Sequence, residues 1–300
     1  MKYTINPIIL LSVFFTGVLA ISSASILIKL CDAPAMVIAS YRLTFAALFF
    51  ILTSAIQKIN PLHNFKKVDL ILAFGSGVFL SLHFAAWITS LKFTSVASSV
   101  ILVSTSPIFV ALGTIIFLKE KISRLLIYGI VLTFTGSIIL SLEDFSQGRK
   151  IILGDSLALL GAIAVAGYYL IGRKLRHQIS TQAYVTLVYS SSALILLLFT
   201  AAFRLNFLGY SKQVYLLLFL IAFIPQVIGH TSFNWSLKYV SAALVSIITL
   251  GEPIGATILA YIFLGESITQ FKMLGGLLIL SGVFIAIKGE MQTTLKEVMQ

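Results

Sequence analysis

Residues 91–141 read LKFTSVASSVILVSTSPIFVALGTIIFLKEKISRLLIYGIVLTFTGSIILS, and residues 237–287 read LKYVSAALVSIITLGEPIGATILAYIFLGESITQFKMLGGLLILSGVFIAI. Laid over one another at a shift of 146 without a gap, the two stretches are identical at about fifteen positions. These include Leu91/Leu237, Lys92/Lys238, Ser95/Ser241, Pro107/Pro253, Glu120/Glu266, Gly129/Gly275 and Gly136/Gly282. Apolar composition alone matches leucine with leucine. It does not bring proline, glutamate, lysine and two glycines into register. Nearer the start of each half, a shift of 144 pairs Gly17 with Gly161 and Lys29 with Arg173. The chain is therefore expected to carry two copies of one unit, residues 1–145 and 146–290, followed by a short cytoplasmic tail, 291–300.

Apolar windows recur at 7–28, 36–56, 68–88, 97–118 and 125–142, and again at 153–172, 182–203, 214–233, 242–264 and 271–287. Each is about long enough to cross a ~30 Å hydrocarbon core at ~1.5 Å rise per residue, and in lipid an open sheet leaves its backbone polar groups unpaired. The expected fold is an all-α integral membrane protein of ten transmembrane helices. Five spans per copy is an odd number, so the two five-helix repeats lie inverted in the membrane. Inverted repeats with a site between them suit alternating access, in which one half rocks on the other.

Composition agrees with lipid as the main solvent. Hydrophobic residues make up 59% of the chain and charged residues 10%, at a mean hydropathy of +1.04, which leaves too little polar surface for a water-soluble globule. The net charge of +11 does not point to nucleic acid, because the 21 basic residues are scattered between apolar runs. With the N-terminus inside, the cytoplasmic segments hold Lys2, Lys58, Lys66, Lys67, Lys119, Lys121, Arg124, Arg173, Lys174, Arg176, Lys238, Lys288 and Lys296. The opposite side holds Lys29, Lys92, Arg149, Lys150, Arg204, Lys212 and Lys272. That bias places both termini in the cytoplasm, with a bacterial inner membrane as the expected location. A single cysteine, Cys31, excludes an intrachain disulfide and a cysteine-based metal cluster. The first apolar run is long enough to span and has a counterpart in the second half, so it reads as a helix of the bundle and not as a cleaved signal.

The pattern Leu91-Lys92-Phe93-Thr94-Ser95 leading to Pro107, then Phe117-Leu118-Lys119-Glu120-Lys121 and a glycine-spaced helix, resembles the EamA unit of the drug/metabolite transporter superfamily. The second copy, with Glu252-Pro253 and Phe263-Leu264-Gly265-Glu266-Ser267, is similar, as are Ala33-Pro34 and Arg42 in the second window. The resemblance implies a ten-helix bundle around a central cavity and secondary transport of small polar metabolites or drugs, often as export.

Charged and polar groups at membrane depth are costly and normally face the bundle interior. Glu252 falls near the middle of the ninth window, ahead of Pro253, whose missing N–H takes the helical donor from the Thr249 carbonyl. It reads as a carboxylate for a cationic substrate group or a proton, or as a structural tie to Arg42; its first-half counterpart is Ser106. Arg42 lies close enough to the outer end of its window for its long stem to snorkel, and reads as a topological or inter-helix anchor, or as an anion contact at the cavity mouth. Gln226, His230 and Asn234 recur every four residues in the eighth window and form one polar stripe; Phe79, His83 and Trp87 repeat that spacing in the third. His83 pairs with His230, and Trp87 with Asn234, at a shift of 147; two such histidines titrate near neutral pH or hydrogen-bond a ligand, or else each bonds a neighbouring helix. The substrate-binding candidates are thus Arg42, His83, Trp87, Gln226, His230, Asn234 and Glu252, with Pro107 and Pro253 as helix breaks for gating. Tyr168 and Tyr169 read first as core. Trp235 reads as an interfacial anchor. Glu120 and Glu266, each three residues before Ser123 or Thr269, read as turn chemistry, and the glycines spaced seven apart as packing faces that leave room for a homodimer.

No cofactor or metal is expected. A phosphate-cradling Walker loop is absent from the sequence, so ATP does not drive the chain directly. A passive channel calls for rings of repeated pore-lining polar residues, and the stripes here are short and differ between halves. A membrane enzyme calls for a metal or Asp/His constellation, and the four aspartates fall in loops or at helix ends without nearby histidines. A small-molecule transporter, amino-acid- or nucleoside-like in substrate, with Glu252 as the candidate for proton coupling, is the expected function.

Overall fold

A computed structural model describes residues 5–58, 60, 62, 65–94, 96–119, 122–141, 150–265 and 270–298. Among the described residues the secondary structure is helical throughout. The first half runs α1 (Pro7–Ser22), α2 (Ala24–Leu30), α3 (Ala35–Ile56), α4 (Lys67–Phe93), α5 (Val96–Val103), α6 (Ser106–Gly113) with a π-helical extension over Thr114–Leu118, and α7 (Arg124–Ser141). The second half runs α8 (Lys150–Arg176), α9 (Thr181–Ala202), α10 (Lys212–Ile221), a π-helical segment Ala222–His230, α11 (Thr231–Ser236), α12 (Ala242–Ile248), a 3₁₀ turn Thr249–Gly251, α13 (Glu252–Leu264) and α14 (Gln270–Val298).

Among the described residues, seven continuous or nearly continuous helices are long and apolar enough to cross a membrane: Pro7–Leu30, Ala35–Ile56, Lys67–Phe93, Ile152–Arg176, Thr181–Ala202, Lys212–Ser236 and Ala242–Phe263. Shorter apolar helical stretches occupy Ser106–Leu118, Arg124–Gly136 and Met273–Ala286. The outer faces of these helices are apolar in a way that water does not tolerate. Phe15 is 67% exposed, Phe117 76% and Phe284 69%, with Leu11, Leu19, Val131, Leu277 and Leu280 beside them, so the bundle is a multi-pass membrane protein presenting its side chains to lipid.

Local rules explain where the helices begin. Asn6 Oδ1 accepts from the Ile8 N–H at 2.9 Å ahead of Pro7. Ser180, Ser211 and Ser241 accept in the same way from Ala183, Val214 and Leu244. Ser123 Oγ accepts from Leu126 N–H at 3.1 Å, as expected of the cap of α7. Glu120, Glu266 and Thr269 lie outside the described residues.

The glycines spaced seven apart turn α7 and α14 upon each other. A Cβ on Gly136 would stand 2.7 Å from the Gly275 carbonyl oxygen, and one on Gly282 would stand 2.8 Å from that of Gly129. These close approaches are made inside the chain, so the glycine faces are taken up by packing. Helix α4 packs along α8, and α3 along α9. Gly161 lets α8 approach Trp87, whose Cβ would be 3.3 Å from an added methyl.

Candidate functional site

At the centre of the bundle is a cavity of about 490 Å³, counting its open mouth, lined by Ile21, Ala24, Arg42, His83, Trp87, Val103, Ser104, Ser106, Val165, Tyr169, His230, Thr249 and Glu252. Five of the seven binding candidates meet on its wall: Arg42, His83, Trp87, His230 and Glu252.

Helix breaks present the backbone and the polar groups to this space. The chain between α5 and α6 turns at Ser104 and Thr105, whose hydroxyls bond back to the Val100 and Leu102 carbonyls, and α6 restarts at Ser106-Pro107. In the second half, α12 gives way to the 3₁₀ turn Thr249–Gly251, and α13 restarts at Glu252-Pro253. The Thr249 carbonyl, which Pro253 cannot reach with an N–H, accepts instead from Glu252 N–H. Ser106 and Glu252, counterparts in the two copies, therefore lie on the same cavity. Glu252 is half-buried there.

Arg42 does not snorkel. Its side chain is 1% exposed, because α4 and the π-helical segment close over it: the guanidinium lies 4.0 Å above the Phe84 ring, and Nε donates to Gln226 Oε1 at 2.8 Å. The hydrogen bond that Arg42 makes is thus to Gln226, while Glu252, on the same cavity wall, acts on it through charge. Its Nη1 has no hydrogen-bond partner, and the same holds for Trp87 Nε1, Gln226 Nε2 and His230 Nδ1. His83 is different, since its Nδ1 is 2.9 Å from the Gly161 carbonyl oxygen, which fixes the proton on Nδ1 in the neutral ring. The rings of His83 and His230 are 6.3 Å apart, and His83 lies parallel to Trp87 at 6.0 Å.

Asn234, the third member of the expected stripe, does not line the cavity. It is fully buried, accepts from Tyr168 O–H at 2.7 Å and donates to Tyr189 Oη at 3.1 Å. Its backbone carbonyl accepts from Arg176 Nε at 2.9 Å. Gln226 stands behind Arg42. Tyr168 belongs to the Asn234 network, whereas its neighbour Tyr169 reaches the cavity wall. Trp235 packs on Tyr239 with ring centres 4.7 Å apart.

Sequence reading passed over two contributors. Phe84, the face beneath Arg42, has no signal beyond its place next to His83. Pro225 does have one: a proline inside an apolar span leaves a carbonyl without its usual donor. Here it sits in the π-helical stretch Ala222–His230, which takes up the missing bond by widening the turn. Among the described residues, no group of three or more His, Cys, Asp or Glu is placed to hold a metal ion.

The model of the EamA-like transporter family matches residues 6–142 and again 152–288. The chain belongs to that family. As an EamA-like protein it is a member of the drug/metabolite transporter superfamily and a membrane transporter. A protein of Archaeoglobus fulgidus described as an uncharacterized transporter is 24% identical over 84% of this chain and 88% of its own length. A probable amino-acid metabolite efflux pump of Salmonella typhimurium is 26% identical over 74% of this chain and 78% of its own. A crystal structure 14% identical in sequence superposes with a TM-score of 0.79 over 96% of this chain and 99% of the other, which shows a shared fold.

Proposed function

We propose that this EamA-like protein is a secondary active transporter that moves small polar metabolites, amino-acid- or nucleoside-like, across a bacterial cytoplasmic membrane by alternating access. In this reading the ten apolar segments are ten spans, the two family units are inverted repeats, and both termini are cytoplasmic. The observation that carries the proposal is the central cavity. It holds an acidic and a basic side chain, Glu252 and Arg42, at a seam to which both units contribute: Ile21 through Ser106 from one, Val165 through Glu252 from the other.

The pairing of helices supports inverted repeats. The packing of α4 on α8 has its counterpart in that of α1 on the π-helical segment and α11, while α3 with α9 and α7 with α14 each join two corresponding helices. A two-fold relation between the units produces this set of pairs. Broken helices at corresponding positions, Ser104–Thr105 and Thr249–Gly251, supply the unwound backbone that transporters of this design use at a substrate site.

Glu252 is the group we assign to coupling. Half-buried and next to Pro253, it takes up a proton or a cationic substrate group in one orientation and releases it in the other. Transport, not catalysis, is the function proposed, in keeping with the relatives named as transporters. The test is accumulation by the full-length protein in proteoliposomes from a pooled metabolite panel, read by mass spectrometry with and without an imposed pH gradient. Saturable accumulation that follows the gradient is expected. Fast, unsaturable equilibration of many solutes would identify a channel and overturn the proposal.

A further inference from the structure

We infer that the free edge of Arg42 is a carboxylate receptor, so that the solutes this cavity accepts carry a carboxylate group. The inference rests on reading the cavity as the transport site, and it narrows that reading: neutral nucleosides are excluded, and amino-acid-like solutes are kept.

An almost fully buried guanidinium normally has an acidic partner, because desolvating an unpaired charge is costly. Among the described residues Arg42 has instead an amide oxygen on Nε, an aromatic face beneath its plane and, without a hydrogen bond, the charge of Glu252 across the cavity. The first two contacts fix the direction of the group without neutralising it, and they leave Nη1 unpartnered on a side chain that lines the cavity. A planar guanidinium whose orientation is already set matches a carboxylate better than it matches any neutral acceptor.

The neighbouring groups point the same way. Trp87 Nε1 and His230 Nδ1, on side chains 3% and 8% exposed, also lack partners and belong to the same cavity wall. Indole N–H and guanidinium N–H can only donate, so at Trp87 and Arg42 the unmet demand is for acceptor atoms, while His230 Nδ1 takes either role with its tautomer. Buried polar groups of this kind are rare in a finished core and call for an occupant. Among the described residues, Glu252 is the one acidic side chain on the cavity wall. A solute with a carboxylate for Arg42 and an ammonium for Glu252 satisfies both ends, and one with only an amine satisfies neither Arg42 nor Trp87.

The experiment measures binding to the purified full-length protein in nanodiscs. The probes are amino acids with apolar and aromatic side chains, their deaminated acids, their decarboxylated amines and neutral nucleosides. Amino acids and deaminated acids are expected to compete for one site, with amines and nucleosides at least about tenfold weaker. Arg42→Lys keeps the charge but loses the planar fork, and is expected to weaken the carboxylate-bearing probes about tenfold or more. Should Arg42 variants fail to fold, Gln226→Glu keeps the arginine and gives it an internal anion, which is expected to displace the acids. Glu252→Gln removes the like charge and is expected to tighten the deaminated acids while weakening the amino acids.

Amines or nucleosides binding as tightly as amino acids, no carboxylate probe binding at all, or acid binding unmoved by both Arg42→Lys and Gln226→Glu would each overturn the inference. Flux in proteoliposomes separates this from the wider proposal. Saturable flux without carboxylate preference sinks the receptor and leaves the transporter, whereas carboxylate binding without flux does the reverse.

Discussion

Gln226 and Asn234 lie on one continuous helical stretch, both fully buried, yet their surroundings are opposite in kind. Around Asn234 the polar groups close on themselves: Tyr168 donates to its side-chain oxygen, its amide donates to Tyr189, and Tyr189 pairs with Thr231 at 3.1 Å. Arg176, also buried, ties the same turn to the end of α8 through bonds to the Asn234 and Ile179 carbonyls and the Thr181 hydroxyl. Around Gln226 the groups stay open, with Arg42 Nη1, Gln226 Nε2, His230 Nδ1 and Trp87 Nε1 all unpartnered. A closed network rigidifies a bundle. An open one of the same size is a cost to the empty protein that a ligand can remove.

That contrast predicts a double dissociation between affinity and stability. The largest effect belongs to Arg42→Met, which we expect to weaken substrate binding by about 2 to 5 kcal/mol, roughly 30-fold to several thousand-fold. Its melting temperature should stay level or rise, because a buried unpaired charge has been replaced by an apolar chain of similar length. A large fall in melting temperature with intact affinity would break the comparison.

Next in size, Glu252→Gln is expected to lose accumulation driven by a pH gradient and fall back to passive equilibration, beyond what its weaker hold on amino acids accounts for. Proteoliposomes with and without the gradient measure this. Equal accumulation by variant and wild type would remove Glu252 from coupling and leave it a structural group.

Asn234→Leu tests the closed side. It leaves the buried Tyr168 hydroxyl without its acceptor and Tyr189 with Thr231; an orphaned buried group costs about 1 to 3 kcal/mol, so unfolding in mild detergent should shift clearly while affinity changes less than about threefold. If affinity falls as steeply as in Arg42→Met, the tyrosine network belongs to the site after all.

The smallest effect concerns Cys31, at the end of α2. It is fully buried, and burial pushes its thiol up to about 11 despite the opposing pull of Lys92. At pH 8 the group stays protonated, since a raised value delays ionisation, so maleimide labelling should run roughly two orders of magnitude slower than for a free thiol near 8.5. Substrate that shifts α2 should change that rate, and a rate equal to that of the unfolded chain would show this end to be loosely packed.

Much of the architecture was legible because it rests on spacing. The 146-residue repeat, the proline pair and the paired glycines are properties of the chain, and period-seven glycines already say that two helices meet closely. The polar stripe was half legible. Its period of four put Gln226, His230 and Asn234 on one face, but the π-helical turns around Pro225 change the phase of the helix, and Asn234 ends up among tyrosines.

Arg42 marks the limit most clearly. Sequence placed it near the outer end of a span, where a long side chain normally reaches water, and the fold covers it with Phe84 and Gln226. Sequence by itself determined that this chain lives in lipid, that it is built twice from one unit, and that few charges lie at depth, because hydropathy and repetition are written along the chain. Only the tertiary structure decided which of those charges share a cavity and which polar groups are already satisfied, because partners such as Arg42 and Gln226, 184 residues apart, are brought together by helix packing and not by spacing.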